Sequence, residues 1–229
     1  MQLQPAESTT MFRNVSAGDS REQWLEGWSG PLQDLSDLPD SDILHIAPVA
    51  QEIELEKLAG ECRSRFVLLT PQGLVRKWDG IGARIELVPR SFPATVSSMV
   101  DVVVVSETEA PYVSGLLAAV PRHGGVGVVT RGRRGCEVLT REGSREYTAD
   151  PVSVLVDPTG AGDCFAATLT TEIYRGRPVP EAVRLATAAA SLCVSGQGPA
   201  TIGGRQEIMS ERGSSPGVVG FLGPPRQGG

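Results

Sequence analysis

Little in this sequence points to metal cages, disulfide stapling or export. Its four cysteines, Cys62, Cys136, Cys164 and Cys193, are scattered and form no C-x-x-C pair, so neither a zinc site nor a disulfide framework is indicated. That usage suits a reducing cytoplasm. The two histidines, His45 and His123, have no acidic or cysteine partner at a suggestive spacing and read as a strand residue and a loop residue. Basic charge is also scarce: the formal net charge of -6 leaves no stripe to track a phosphate backbone and excludes nucleic acid as a partner, with Arg131, Arg133 and Arg134 as a local positive spot. The longest apolar stretch, around Ala182 to Val194, carries Arg184 and falls short of the roughly 18 residues of a membrane span. The opening MQLQPAESTTMFRN lacks the basic and apolar regions of a signal peptide.

What is present is ordinary globular composition: 229 residues, 40% hydrophobic, sufficient for one sizeable core. From Asp42 onward an α/β beat sets in. ILHIA reads as a strand, Val49 to Leu58 as a helix and Phe66 to Thr70 as a strand. Val102 to Val105 reads as a strand buried on both faces, followed by a helix from about Thr108 to Ala119 and a strand at Val126 to Thr130. CEVLT and REYTA flank a turn at Glu142, Gly143 and Ser144, a hairpin signal that places an antiparallel edge on a mostly parallel sheet. Helices are expected over Ala161 to Tyr174 and from Pro180 to about Ser195. Residues 1–30 are read as a partial lid, 31–209 as the catalytic α/β domain, and the Gly-, Pro- and Ser-rich 210–229 as a disordered tail.

The run DPTGAGDCFAATL concentrates the chemistry. Gly160, Ala161 and Gly162 open a helix whose first N–H groups have no intrahelical partners, and the helix dipole adds positive potential there, so the segment suits an anion. Asp163 in the first turn then stands beside the phosphate, placed to accept a proton from an attacking hydroxyl. A plain N-cap would use the same residues. G-x-G-x-x-G fails at Phe165, and no G-x-x-x-x-G-K-[S/T] run occurs, which excludes a dinucleotide fingerprint and a Walker-type loop.

Asp157, Gly160, Ala161, Gly162, Asp163 and Phe165 together resemble the C-terminal signature of the ribokinase-like (PfkB) carbohydrate kinases, with Thr168 where that family expects glycine. The resemblance implies a ribokinase-like three-layer α/β/α sandwich. It implies Asp163 as catalytic base, Gly160 to Gly162 as anion hole, and ATP with Mg2+ as donor. In VVVVSETEA, Ser106 and Glu109 stand where the family has Asn-x-x-Glu, so Glu109 is the candidate magnesium contact, although Ser with Glu three residues on is also a capping box. VVTRGRRG resembles the turn beneath the nucleotide, with Thr130, Gly132 and Gly135 as contacts, and Thr187 lies on the helix that resembles the adenine side. Thr10, Phe12 and Asn14 fall in a lid-like segment that would face substrate or simply alternate along a strand edge.

By resemblance the acceptor is a sugar or polyol, inositol-like among the subfamilies, and the lid allows a homodimer. The family's usual first portion, with its first strands and glycine-rich substrate site, is absent from this chain, so an unpaired sheet edge is expected. That departure keeps two alternatives open: a non-catalytic nucleotide-binding remnant or regulatory subunit of the same fold, and an unrelated α/β binding protein in which the glycine run is only a cap.

Overall fold

The computed structural model describes residues 5–17, 20–32, 35, 40–149, 155–210 and 218–222. Met11–Ala17 (β1) and Ser20–Gly27 (β2) form an antiparallel hairpin. The lid-like segment is therefore regular, although its sequence shows little periodicity. Polar residues along it partner each other: Gln23 donates to Asn14 at 2.7 Å and Arg13 meets Glu26 at 2.7 Å, while Met11 and Val15 are exposed. Leu25 is fully buried, and its backbone bonds to Ala83 and Gly82 dock the hairpin on the body.

Ile43–Ile46 (β3), Leu55–Glu61 (α1) and Phe66–Leu69 (β4) follow. The helix begins later than the apolar pattern suggests. Glu52 accepts from the N–H groups of Val49 and Ala50 at 2.7 and 2.6 Å, and Gln51 adopts φ 56, so these residues close a turn. A local side-chain acceptor has outcompeted the helix. Arg76–Lys77 (β5) pairs antiparallel with Glu86–Leu87 (β6), and Ala94–Met99 (α2) leads to Val102–Ser106 (β7).

After β7, Pro111 lies in a short 3-10 turn before Ser114–Arg122 (α3), so the expected helix from Thr108 divides into two pieces. Val126–Thr130 (β8) and Cys136–Thr140 (β9) occur as anticipated, whereas Gly143–Tyr147 (β10) starts two residues earlier than REYTA, because Gly143 pairs with Thr140 and Ser144 with Leu139, which confines the turn to Arg141 and Glu142. Ala161–Tyr174 (α4) and Val179–Cys193 (α5) match the two expected helices to within two residues, and Arg205–Ser210 (α6) closes over them. Val218–Leu222 (β11), within the stretch expected as a disordered tail, pairs antiparallel with β10. Its β-branched and aromatic VVGFL suits an edge despite the glycine-rich surroundings.

The main sheet runs β11-β10-β9-β8-β7-β4-β3, with β3, β4, β7 and β8 parallel and the other strands antiparallel. Among the described residues β3 is the terminal strand on that side of the sheet. Strand alternation splits β7 between two layers: Val103 and Val105 join the core under α1, α2 and α3, while Val102 and Val104 join Phe165, Ala166 and Leu169 of α4 and Ala182, Val183 and Ala186 of α5. Helices therefore cover both faces, and the start of α4 is held near the C-terminal ends of the parallel strands, where open α/β sheets place ligands.

Candidate active site

The helix start is shaped by its own sequence. Asp157 accepts from the Thr159 N–H at 2.9 Å, an Asx turn, and that bond holds its carboxyl below the usual range. Gly160 at the cap adopts φ 84, a left-handed conformation that glycine takes without strain. The first helical bond runs from Cys164 N to Gly160 O at 2.9 Å, which leaves the N–H groups of Gly162 and Asp163 without intrahelical partners. Nothing lies within 4 Å of the place where a Cβ on Gly162 would sit, so an anion can approach the backbone there. The aspartate of this turn, Asp163, is exposed and lines a cavity of about 300 Å³ with His45, Cys164, Ala167, Thr168 and Ile208.

His45 reaches this cavity from β3, and its Nε2 lies 3.1 Å from the Thr70 hydroxyl at the end of β4. Burial lowers the imidazole's pKa, and the charge of Asp163 partly opposes that shift. Spacing along the chain did not single out His45, because its acidic neighbour is remote in sequence. The available signal was its place near the C-terminal end of a parallel strand. Half-buried Cys164 has its thiol pushed up to about 12 by desolvation and by the neighbouring Cys193 thiol, so it stays protonated.

A second group of expected residues gathers at the ends of β7 and β8. Ser106 and Thr130 are register partners, and the Thr130 hydroxyl donates to Val105 O at 3.2 Å. Glu109 Oε2 accepts from the Ser106 N–H at 3.1 Å and from its hydroxyl at 2.8 Å, a local loop closure and not a helix cap, since Ser106 ends β7 and its hydroxyl donates instead of accepting a helix N–H. Gly132 and Gly135 take φ 56 and 94 in the turn after β8, where a Cβ on Gly135 would overlap the Tyr147 carbonyl. Arg131 pairs with Glu137 and Glu146 at 2.5 Å each, and Arg134 pairs with Glu107, so part of the positive spot is already neutralised.

Other expected residues lie elsewhere. Thr187 is 6% exposed and its hydroxyl donates back to Val183 O at 2.9 Å, a packing position within α5. Thr10 bonds Ser29 at 2.9 Å, Asn14 is taken by Gln23, and the Phe12 ring lies 5.0 Å from the Arg76 guanidinium. Trp28 donates to Ala50 O at 2.8 Å and meets Trp78 edge-on at 5.6 Å, which fastens the hairpin to the body. Arg76 went unremarked in the sequence. Buried at 9% exposure, it bonds Val49 O at 2.6 Å beneath Phe12 and joins the lid to the turn before α1.

Fold and site together define a ribokinase-like α/β protein with an anion-receptive helix start and a carboxylate in its first turn. The family model described as pfkB family carbohydrate kinase matches residues 89–203, and the chain belongs to that family. The chain is 32% identical over 188 residues to an inositol 3-kinase of Zea mays, covering 77% of this chain and 48% of that protein. It thus spans about half the length of the curated relatives it matches. A pyrophosphate-dependent kinase in the ribokinase family, solved with sulfate, superposes with a TM-score of 0.71 at 20% identity, covering 89% of this chain and 75% of that one. Arabidopsis thaliana ribokinase complexed with ribose and ATP gives a TM-score of 0.62 at 19% identity, covering 86% and 66%. No described helix is long and apolar enough to cross a membrane.

Proposed function

We propose that this chain transfers a phosphoryl group from a nucleotide to a hydroxyl of a small sugar or polyol, with Asp163 as the base. The observation that carries the reading is the first turn of α4. There two N–H groups without intrahelical partners adjoin a carboxylate that opens on a cavity. The N–H groups of Gly162 and Asp163 and the helix dipole stabilise negative charge that develops on the transferred group. Asp163 takes the proton of the attacking hydroxyl, and the cavity holds that hydroxyl in line.

The turn at Gly132 to Gly135, with Ser106 and Thr130, is the proposed bed for the nucleotide. Among the described residues no group of three or more His, Cys, Asp or Glu side chains could cage a metal. Glu109 is the residue proposed to meet magnesium, which would come with the donor. When bound, it neutralises phosphate charge.

The resemblance to an inositol 3-kinase supports myo-inositol as the first acceptor to assay, with ribose and cytidine beside it. Asp163→Asn is expected to lower kcat by about 10²–10⁴ while leaving magnesium–ATP affinity unchanged by calorimetry. Equal turnover in that variant would overturn the assignment of the base. Nucleotide binding by the wild type with no transfer to any acceptor would select the non-catalytic alternative.

A further inference from the structure

The cavity beside Asp163 is unusual in its second wall. On one side stand the first turns of α4, with Asp163, Cys164, Ala167 and Thr168; on the other stands His45, the one imidazole lining the cavity among the described residues. His45 is anchored through Nε2 to the Thr70 hydroxyl at 3.1 Å, so one ring edge is fixed by the sheet and the other is free to meet a ligand. No lysine or arginine lines the cavity among the described residues, so an acceptor that already carries a phosphate finds no countercharge there.

Resting on the kinase reading above, we propose that His45 is a substrate-positioning residue that hydrogen-bonds a hydroxyl of an uncharged polyhydroxy acceptor and orients the neighbouring hydroxyl toward Asp163. A neutral imidazole can donate from one nitrogen and accept at the other, which suits a hydroxyl that does both. Burial lowers the pKa of His45, which favours the neutral ring near pH 7. The charged or titratable groups facing it are Asp163 and the Cys164 thiol from α4; the thiol is pushed up to about 12 and stays neutral, while Ile208 of α6 is apolar.

Two measurements test the proposal. Wild type, His45→Ala and His45→Gln are assayed with myo-inositol, ribose and cytidine, and with fructose 6-phosphate as the charged comparison. The alanine variant is expected to raise the KM for the neutral acceptor about tenfold with the ATP KM unchanged, and glutamine to restore most of it. The acid limb that His45 gives to the wild-type kcat/KM profile is expected to vanish in the glutamine variant. An unchanged acceptor KM, equal rises in both KM values, or preference for fructose 6-phosphate overturns it.

Independently of turnover, the His45 ring titration followed by nitrogen–proton NMR is expected to shift to lower pH in Asp163→Asn, because the carboxylate raises the imidazole's pKa. A shift with no transfer by the wild type rejects the kinase reading, and with it this role, but keeps the juxtaposition. Transfer without a shift rejects the His45 proposal alone.

Discussion

At Glu172 a carboxylate 3% exposed sits on α4 and receives three arginines: Arg177 at 2.6 Å, Arg175 at 2.9 Å and Arg205 at 3.1 Å. Burial pushes the carboxyl up, but the hydrogen bonds from Arg205, Arg177 and Arg175 outweigh it and hold the pKa down at about 2. Depression below the unfolded value means that the stabilisation is present above about pH 4.5 and is lost as pH falls toward 2. The full shift corresponds to about 3 kcal/mol, which half-exposed Arg175 and Arg205 reduce by screening. Glu172→Gln is expected to lower Tm by several degrees at pH 7 and to flatten stability between pH 4.5 and 2, read by thermal melts across that range. Arg205 belongs to α6, whose Ile208 lines the Asp163 cavity, so the same variant loosens one wall of the site. Arg175 and Arg177 are local to Glu172 in sequence, whereas Arg205 is brought to it only by the closure of α6 over α4.

Among the elements, the start of α4 was legible because its chemistry occupies consecutive residues: cap, small residues and acid are all local. The inward turn of Thr187 could not be read from sequence, because which face of α5 meets α4 is decided by packing, and its hydroxyl bonds back to Val183. The late start of α1 was hidden because Glu52 caps a turn that apolar periodicity does not register. The two glycines at the start of α4, the cap residue Gly160 and the helical Gly162, separate geometry from function. Gly160→Ala forces an L-residue into φ 84 and is expected to cost about 1–2 kcal/mol, measured by the denaturant midpoint. Gly162→Ala enters open space in a helical conformation and is expected to keep or slightly raise stability, by up to about 1 kcal/mol. Its methyl nevertheless stands in the path of an anion approaching the first-turn N–H groups, so magnesium–ATP affinity is expected to fall about tenfold by calorimetry. Unchanged affinity would show that phosphate does not approach there.

For the whole molecule, the question is whether the two helical layers fold as one. The α/β class was readable from runs of β-branched residues such as Val102 to Val105, whereas the order of the strands and the pairing of β11 were not, because no local pattern states which strands lie side by side. β7 joins the layers. Val102 and Val103 are both fully buried, adjacent in the chain and committed to opposite cores. If the layers melted separately, Val102→Ala would shift only the transition of α4 and α5, and Val103→Ala only that of α1 to α3. A shared central strand argues otherwise: removing either side chain weakens the ladder on which both layers rest. Each substitution is expected to cost roughly 1–3 kcal/mol. Each should also shift a single transition, with far- and near-ultraviolet circular dichroism melting together. Biphasic melts, or a Val103→Ala variant whose α4–α5 layer keeps its original midpoint, would mean that the phosphate-binding helix is carried by a unit that folds independently of the rest.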